Sequence, residues 1–243
     1  RPRHGLRGLL QAPTSAPFDL SGRSGSVRVV LDPVPVPEWY ARLRDAFPGW
    51  APRLPHRTEL MFGSGREGPH WTATLQNGEA AYVAYELTRG DLTGFAGDVD
   101  ALVGQRGVEQ VLLDLRLNGG GDNTTYGPLL EVLERATHEL GKRLRVLIGR
   151  SPFSAAMQLL LDLERRTPAQ FVGEPTGGSP NHYGDARQMV LPEARLVANV
   201  ATVSWTTAGK GDERLALEPD LPVPVRSTDY FAGRDPALEA ALD

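Results

Sequence analysis

Three short stretches bring together residue types that can do acyl-transfer chemistry. Ser154 stands immediately before Ala155-Ala156-Met157-Gln158-Leu159-Leu160-Leu161, a helix entered from the buried-type strand Leu144–Ile148. There its hydroxyl lies near the positive end of the helix, where a developing oxyanion is stabilised. An N-cap is the ordinary use of a serine in that place. Asn118-Gly119-Gly120-Gly121 follows the apolar run Gln110–Leu115. Successive glycines leave backbone N–H groups uncovered, for an oxyanion, a phosphate or a permissive strand-to-helix connection. The third stretch, 173–184, carries His182, the one internal histidine placed to act as a base; hydrogen bonding within the loop is its other use.

Several chemistries are excluded. The spacing of the glycines is neither Gly-x-Gly-x-x-Gly nor a loop ending in Gly-Lys-[Ser/Thr], and Gly-x-Ser-x-Gly is absent. The 243 residues include no cysteine, so thiolate metal sites and disulfides are impossible. The five histidines form no His-x-x-x-His pair, and no metal or other cofactor is expected. A formal net charge of −4 supplies no basic field for nucleic acid. No apolar run reaches the ~18 residues of a membrane span. Of the 26 basic residues only Lys142 and Lys210 are lysines, which leaves few lysine bases.

The elements that position these residues follow from the apolar pattern. Strands are expected at His70–Gln76 and Glu79–Glu86, joined by the hairpin signal Asn77-Gly78. Buried-type strands at Gln110–Leu115, Leu144–Ile148 and Phe171-Val172 alternate with helices over about 125–140 and from 155 to about 166. Further strands fall near Gln188–Leu191 and Leu196–Ser204, with a helix near Pro236–Leu242. This predicts an α/β fold: a core of strand–helix units with parallel pairing, flanked by antiparallel hairpins. Asp114 and Arg116, two apart on a strand, share a face, and an ion pair pinning the glycine loop is expected of them. Residues 1–56 are rich in Pro and Gly, with one strand-like run at Ser26–Leu31 and a short helix at Glu38–Ala46. They read as the end of a preceding module plus a linker, and 57–243 as the catalytic-type domain, whose first strand is Arg57–Phe62.

Taken in order, Val111 to Gly121, Phe153-Ser154-Ala155-Ala156 and Val172 to Gly178 resemble the tail-specific (C-terminal processing) protease family. The tail segments Pro219–Val223 and Asp229–Pro236 add to the resemblance, which runs from about residue 70 to the end. Residues 16–36 more weakly resemble the end of a PDZ-like insertion. The resemblance implies a crotonase/ClpP-like core and a serine endopeptidase acting on peptides or unfolded protein tails, in an exported or periplasmic setting. It implies Ser154 as nucleophile and the amides of Gly120 and Ala155 as oxyanion donors. The lysine base of many members falls at Ser179 here, so a serine–lysine pair is excluded. The branch resembled is then the tricorn-core, retinoid-binding-protein-like one, whose histidine comes from an upstream segment and whose late acidic residue has its nearest counterpart in Glu213. A non-catalytic relative that binds a peptide or apolar ligand in the same cleft is the alternative. A crotonase-type acyl-CoA enzyme would share the fold.

Overall fold

The computed structural model describes residues 16–22, 25–31, 68–191 and 196–243. The expected helix 38–46, strand 57–62 and the boundary at 56 lie outside them. The chain divides into two compact units, residues 1–53 with 188–198 and residues 54–187 with 199–243. In the first, β1 (Ala16–Gly22) and β2 (Gly25–Leu31) pair antiparallel.

The second unit is built on a six-stranded sheet. Its strands are β3 (His70–Leu75), β4 (Ala80–Tyr85), β5 (Gln110–Asp114), β6 (Arg143–Ile148), β7 (Gln170–Gly173) and the short β10 (Leu221–Pro222). They lie side by side in the order β10-β7-β6-β5-β4-β3. The β3–β4 pair is antiparallel and all others are parallel. The expected turn joins β3 to β4, with Asn77 at φ 55°, a left-handed conformation that asparagine tolerates.

Helices α1 (Thr93–Val103), α2 (Gly127–His138) and α3 (Ala155–Arg166) connect β4 through β7. Because those strands follow one another across the sheet without reversal, crossovers of one hand put all three helices on one face. Alternate strand residues then divide between two cores. Val83, Val111, Leu113, Val146 and Ile148 pack with Val99, Leu129, Leu133, Met157 and Leu160 beneath the three helices. Tyr82, Leu112, Leu147 and Val172 face the other way, onto Ala237, Leu238 and Ala241 of α5 (Pro236–Leu242). The expected α/β class, mostly parallel with flanking antiparallel hairpins, is the one observed.

Elements beyond the sequence reading include β1, β10, the helix Ser227–Ala232 and α1, and one strand is longer than expected. Helix α1 was not expected: Gly94 and Gly97 lower its helix propensity, and burial of Ala96, Val99, Leu102 and Val103 offsets that. The strand placed near 188–191 begins at His182, as β8 (His182–Leu191), and pairs with β9 (Leu196–Trp205). Gly184-Asp185 reads as loop chemistry, and Asp185 does take φ 50°. The strand runs through them because the Thr202 hydroxyl donates to the Asp185 carbonyl (2.6 Å) and the Trp205 indole to its carboxylate (2.7 Å). The short α4 (Ser227–Ala232) precedes α5.

Candidate active site

The site starts where β5 ends. Asp114 and Arg116 form the expected ion pair, with Arg116 Nη2 donating to Asp114 Oδ2 at 2.6 Å. The sequence reading missed the second acid: Arg116 Nη1 and Nη2 also donate to Asp235 at 2.7 and 2.9 Å. All three side chains are buried, and the Tyr82 hydroxyl donates to Asp114 at 2.6 Å. Burial disfavours the guanidinium charge, but the two carboxylates outweigh it and hold the Arg116 pKa well above its usual value. Burial, reinforced by Asp114, pushes the Tyr82 phenol up.

Asn118, fully buried, shapes the glycine loop. Its amide nitrogen donates to the Tyr85 carbonyl (2.8 Å), and its Oδ1 accepts from Thr88 Oγ1 (3.2 Å) and the Gly120 N–H (2.9 Å). Thr88 and Gly121 form a parallel bridge that continues the β4–β5 pairing past both strand ends. Its bonds run from Thr88 N to Gly120 O (3.0 Å) and from Asp122 N to Thr88 O (2.6 Å). Gly121 has φ 143°, and a Cβ there would collide with the Thr88 carbonyl, so a side chain is excluded. Asn118 and Thr88 went unassigned in the sequence because nothing in their spacing marks them.

Ser154 closes the turn between β6 and α3. It takes φ 54° and ψ −124°, a region costly for a residue with a Cβ, and it makes no capping hydrogen bond. The ordinary N-cap use is therefore not the one seen. Gly120 lies directly against this turn: a Cβ on it would come 2.5 Å from the Phe153 carbonyl oxygen, 2.7 Å from Ser154 Cβ and 3.0 Å from Ala155 N. The Ala155 N–H makes no hydrogen bond among the described residues. The Gly120 N–H, expected as its companion donor, is engaged by Asn118 in this structure.

The third turn packs on the other side. A Cβ on Gly177 would collide with the Arg150 carbonyl, and Gly178 N donates to the Pro152 carbonyl at 3.2 Å. His182 is buried, with its ring 5.2 Å from that of Phe153. Ser179 Oγ donates to the Leu215 carbonyl at 3.1 Å. The structure thus gathers Gly120, Ser154, Ala155 and His182 around residues 152–155. Glu213 is exposed on the segment after β9, between Asp212 and Leu215, whose carbonyls accept from Asn181 and Ser179 of the third turn, and its neighbour Arg214 pairs with Glu164 and Asp212. Lys142 reaches the Val108 carbonyl at the far end of the sheet, and Lys210 is exposed.

A cavity of about 370 Å³ opens beside Gly149–Ser151, walled by Ile148, Val223, Val225 and Ala237. Among the described residues no cluster of three or more His, Asp or Glu could hold a metal, and no helix is long and apolar enough to cross a membrane. A half-buried hydroxyl on a strained turn, beside an unengaged amide at a helix start, is suited to nucleophilic attack on an acyl carbon.

No family model and no curated protein matches the chain. Among solved structures it is similar to a candidate peptidase of Parabacteroides merdae, at 19% identity and TM-score 0.52, over 72% of this chain and 64% of that one. It also matches the photosystem II D1 C-terminal processing protease at 17% identity and TM-score 0.47, over 86% of this chain and 55% of that one. A third match is the tricorn protease, at 15% identity and TM-score 0.46, over 95% of this chain and 22% of that one. The first similarity shows a shared α/β fold; the other two are too loose to carry more. This chain spans less than two thirds of the length of each of the three.

Proposed function

We propose that this chain carries the nucleophile site of a serine endopeptidase acting on peptides or unfolded protein tails. The observation that carries the reading is Ser154 itself: a helix-start serine with φ 54°, no cap hydrogen bond, and the free Ala155 amide beside it. Ser154 Oγ attacks the scissile carbonyl to give an acyl-enzyme, which water then hydrolyses. Ala155 N–H donates to the oxyanion, and Gly120 N–H shares its hydrogen between Asn118 Oδ1 and the same oxygen, as three-centre bonds do.

The other reading, a non-catalytic binding module, is favoured by one observation: no base is hydrogen-bonded to the Ser154 hydroxyl among the described residues. Labelling with a fluorophosphonate probe, read by intact mass, separates the two. The peptidase reading expects one adduct on the chain and none on Ser154→Ala. Absence of any Ser154-dependent adduct favours the binding module.

A further inference from the structure

We infer that His182 is the base that takes the Ser154 proton, so that nucleophile and base lie in the same chain. The inference rests on the serine-peptidase reading and adds to it the group that the expected upstream histidine would otherwise supply.

The first observation is an unmet need. His182 is 9% exposed, and neither Nδ1 nor Nε2 has a hydrogen-bond partner among the described residues. A neutral imidazole carries one donor and one acceptor, and leaving such groups buried and unpaired is costly. Buried polar groups are so rarely left unpaired that this ring calls for a partner from outside its resting contacts.

The second is place. The imidazole is tilted 51° against the Phe153 ring at 5.2 Å, and Phe153 is joined by one peptide bond to Ser154. Four residues before His182, Gly178 is wedged against the Pro152 carbonyl, Phe153 and Met157. The segment that carries the imidazole is therefore docked on the segment that carries the hydroxyl.

The third is accounting. The other buried and half-buried neutral polar side chains of the three turns are committed: Asn118 to Tyr85 and Gly120, Asn123 to Gln158, Thr176 to Gly178 and Leu217, Ser179 to Leu215, Asn181 to Gly209 and Asp212. The Ser154 hydroxyl and the His182 ring are the half-buried hydroxyl and the buried base that these commitments leave over.

In the step proposed, the Ser154 O–H bond breaks and its proton moves to an imidazole nitrogen as the Oγ–C bond forms. The imidazolium then gives that proton to the leaving amine as the C–N bond breaks. The neutral ring takes a proton from the water that cleaves the acyl-enzyme and returns it to Ser154 Oγ. Atoms and charge balance without a co-reactant.

The test is the rate of fluorophosphonate labelling of the 243-residue chain and of its His182→Ala, His182→Gln and His182→Phe variants, with thermal unfolding measured alongside. His182→Phe keeps an aromatic ring on Phe153 and removes two unpaired nitrogens, so it is expected to unfold no earlier than the parent. All three variants should label at least ~100-fold more slowly, the lower range of what a positioned base contributes. Added imidazole should restore part of the rate in His182→Ala and none in His182→Phe, where the space is filled. Labelling of the folded His182→Phe variant at the parent rate would overturn the inference while leaving Ser154 as nucleophile. A parent chain that does not label overturns the peptidase reading and this inference with it.

Discussion

Gly120 and Ser154 are in such close contact that a Cβ on the glycine would stand 2.7 Å from Cβ of the serine. They come from different strand ends, 34 residues apart in the sequence, and the contact fixes where the hydroxyl turn sits relative to the glycine loop. Gly120→Ala therefore has to move one turn away from the other, and it also strains a backbone at φ 98°. The expected outcome is loss of Ser154 labelling in a variant whose far-ultraviolet circular dichroism is unchanged. Normal labelling in that variant would show that the two turns act independently.

The backbone of Ser154 sets up an opposition between stability and chemistry. At φ 54° and ψ −124° a side chain is costly and glycine is at ease. Ser154→Gly should raise the unfolding free energy by about 1 kcal/mol, in the range found where a strained position is relieved. It should also remove the adduct entirely. Ser154→Ala, which keeps a Cβ, should lose the adduct without that gain. Urea midpoints of the two variants and the parent decide the matter.

The Arg116 network predicts a large effect far from the reacting atoms. Asp235 accepts two bonds from the buried guanidinium and caps α5 through the Leu238 N–H at 3.1 Å. Asp235→Ala leaves Arg116 underpaired in the interior and uncaps the helix, which should cost about 3–5 kcal/mol. Asp235→Asn, which keeps both the cap and an oxygen acceptor, should cost less. Guanidinium unfolding of the two variants measures the difference.

Glu86 gives a pH dependence. Burial, helped by the nearby Asp114 charge, raises its pKa above the ordinary glutamate value of 4.5. An acid whose pKa is higher folded than unfolded adds stability while protonated, and that stability is lost as pH rises through the folded value. Glu86→Gln, which stays neutral, should raise the melting temperature at pH 7 and leave it nearly unchanged at pH 4. An equal shift at both pH values would place the effect in packing instead of charge.

Much of this arrangement is legible in the amino-acid sequence. The strand–helix alternation from Gln110 to Gly173 specified the parallel sheet, because a near-continuous apolar run bounded by glycine fits a strand covered on both faces. Asn77-Gly78 specified its hairpin, and the three turns that meet at residues 152–155 were marked by glycine and serine at strand ends. What stayed hidden depends on separation in the chain. Asp235 pairs with Arg116 across 119 residues, and no local pattern announces such a partner. Helix α1 was hidden because Gly94 and Gly97 argue against it and only burial argues for it. The engagement of the Gly120 amide by Asn118 was hidden too, since a side chain two residues away can equally point to solvent.

The Arg116–Asp235 pair also bears on the order in which the molecule is made. A chain grows from its amino end at ~5–20 residues per second, so Arg116 is synthesised well before its second acid. Until Asp235 emerges, the guanidinium lacks its second carboxylate, and the sheet face around Tyr82, Leu112 and Leu147 has no α5 to cover it. The nascent sheet is therefore expected to remain open on one side, and its glycine loop loosely anchored, until the segment from 235 onward clears the ribosome. Ribosome-bound chains arrested with residues 1–225 exposed should be far more sensitive to protease than those arrested with residue 243 exposed.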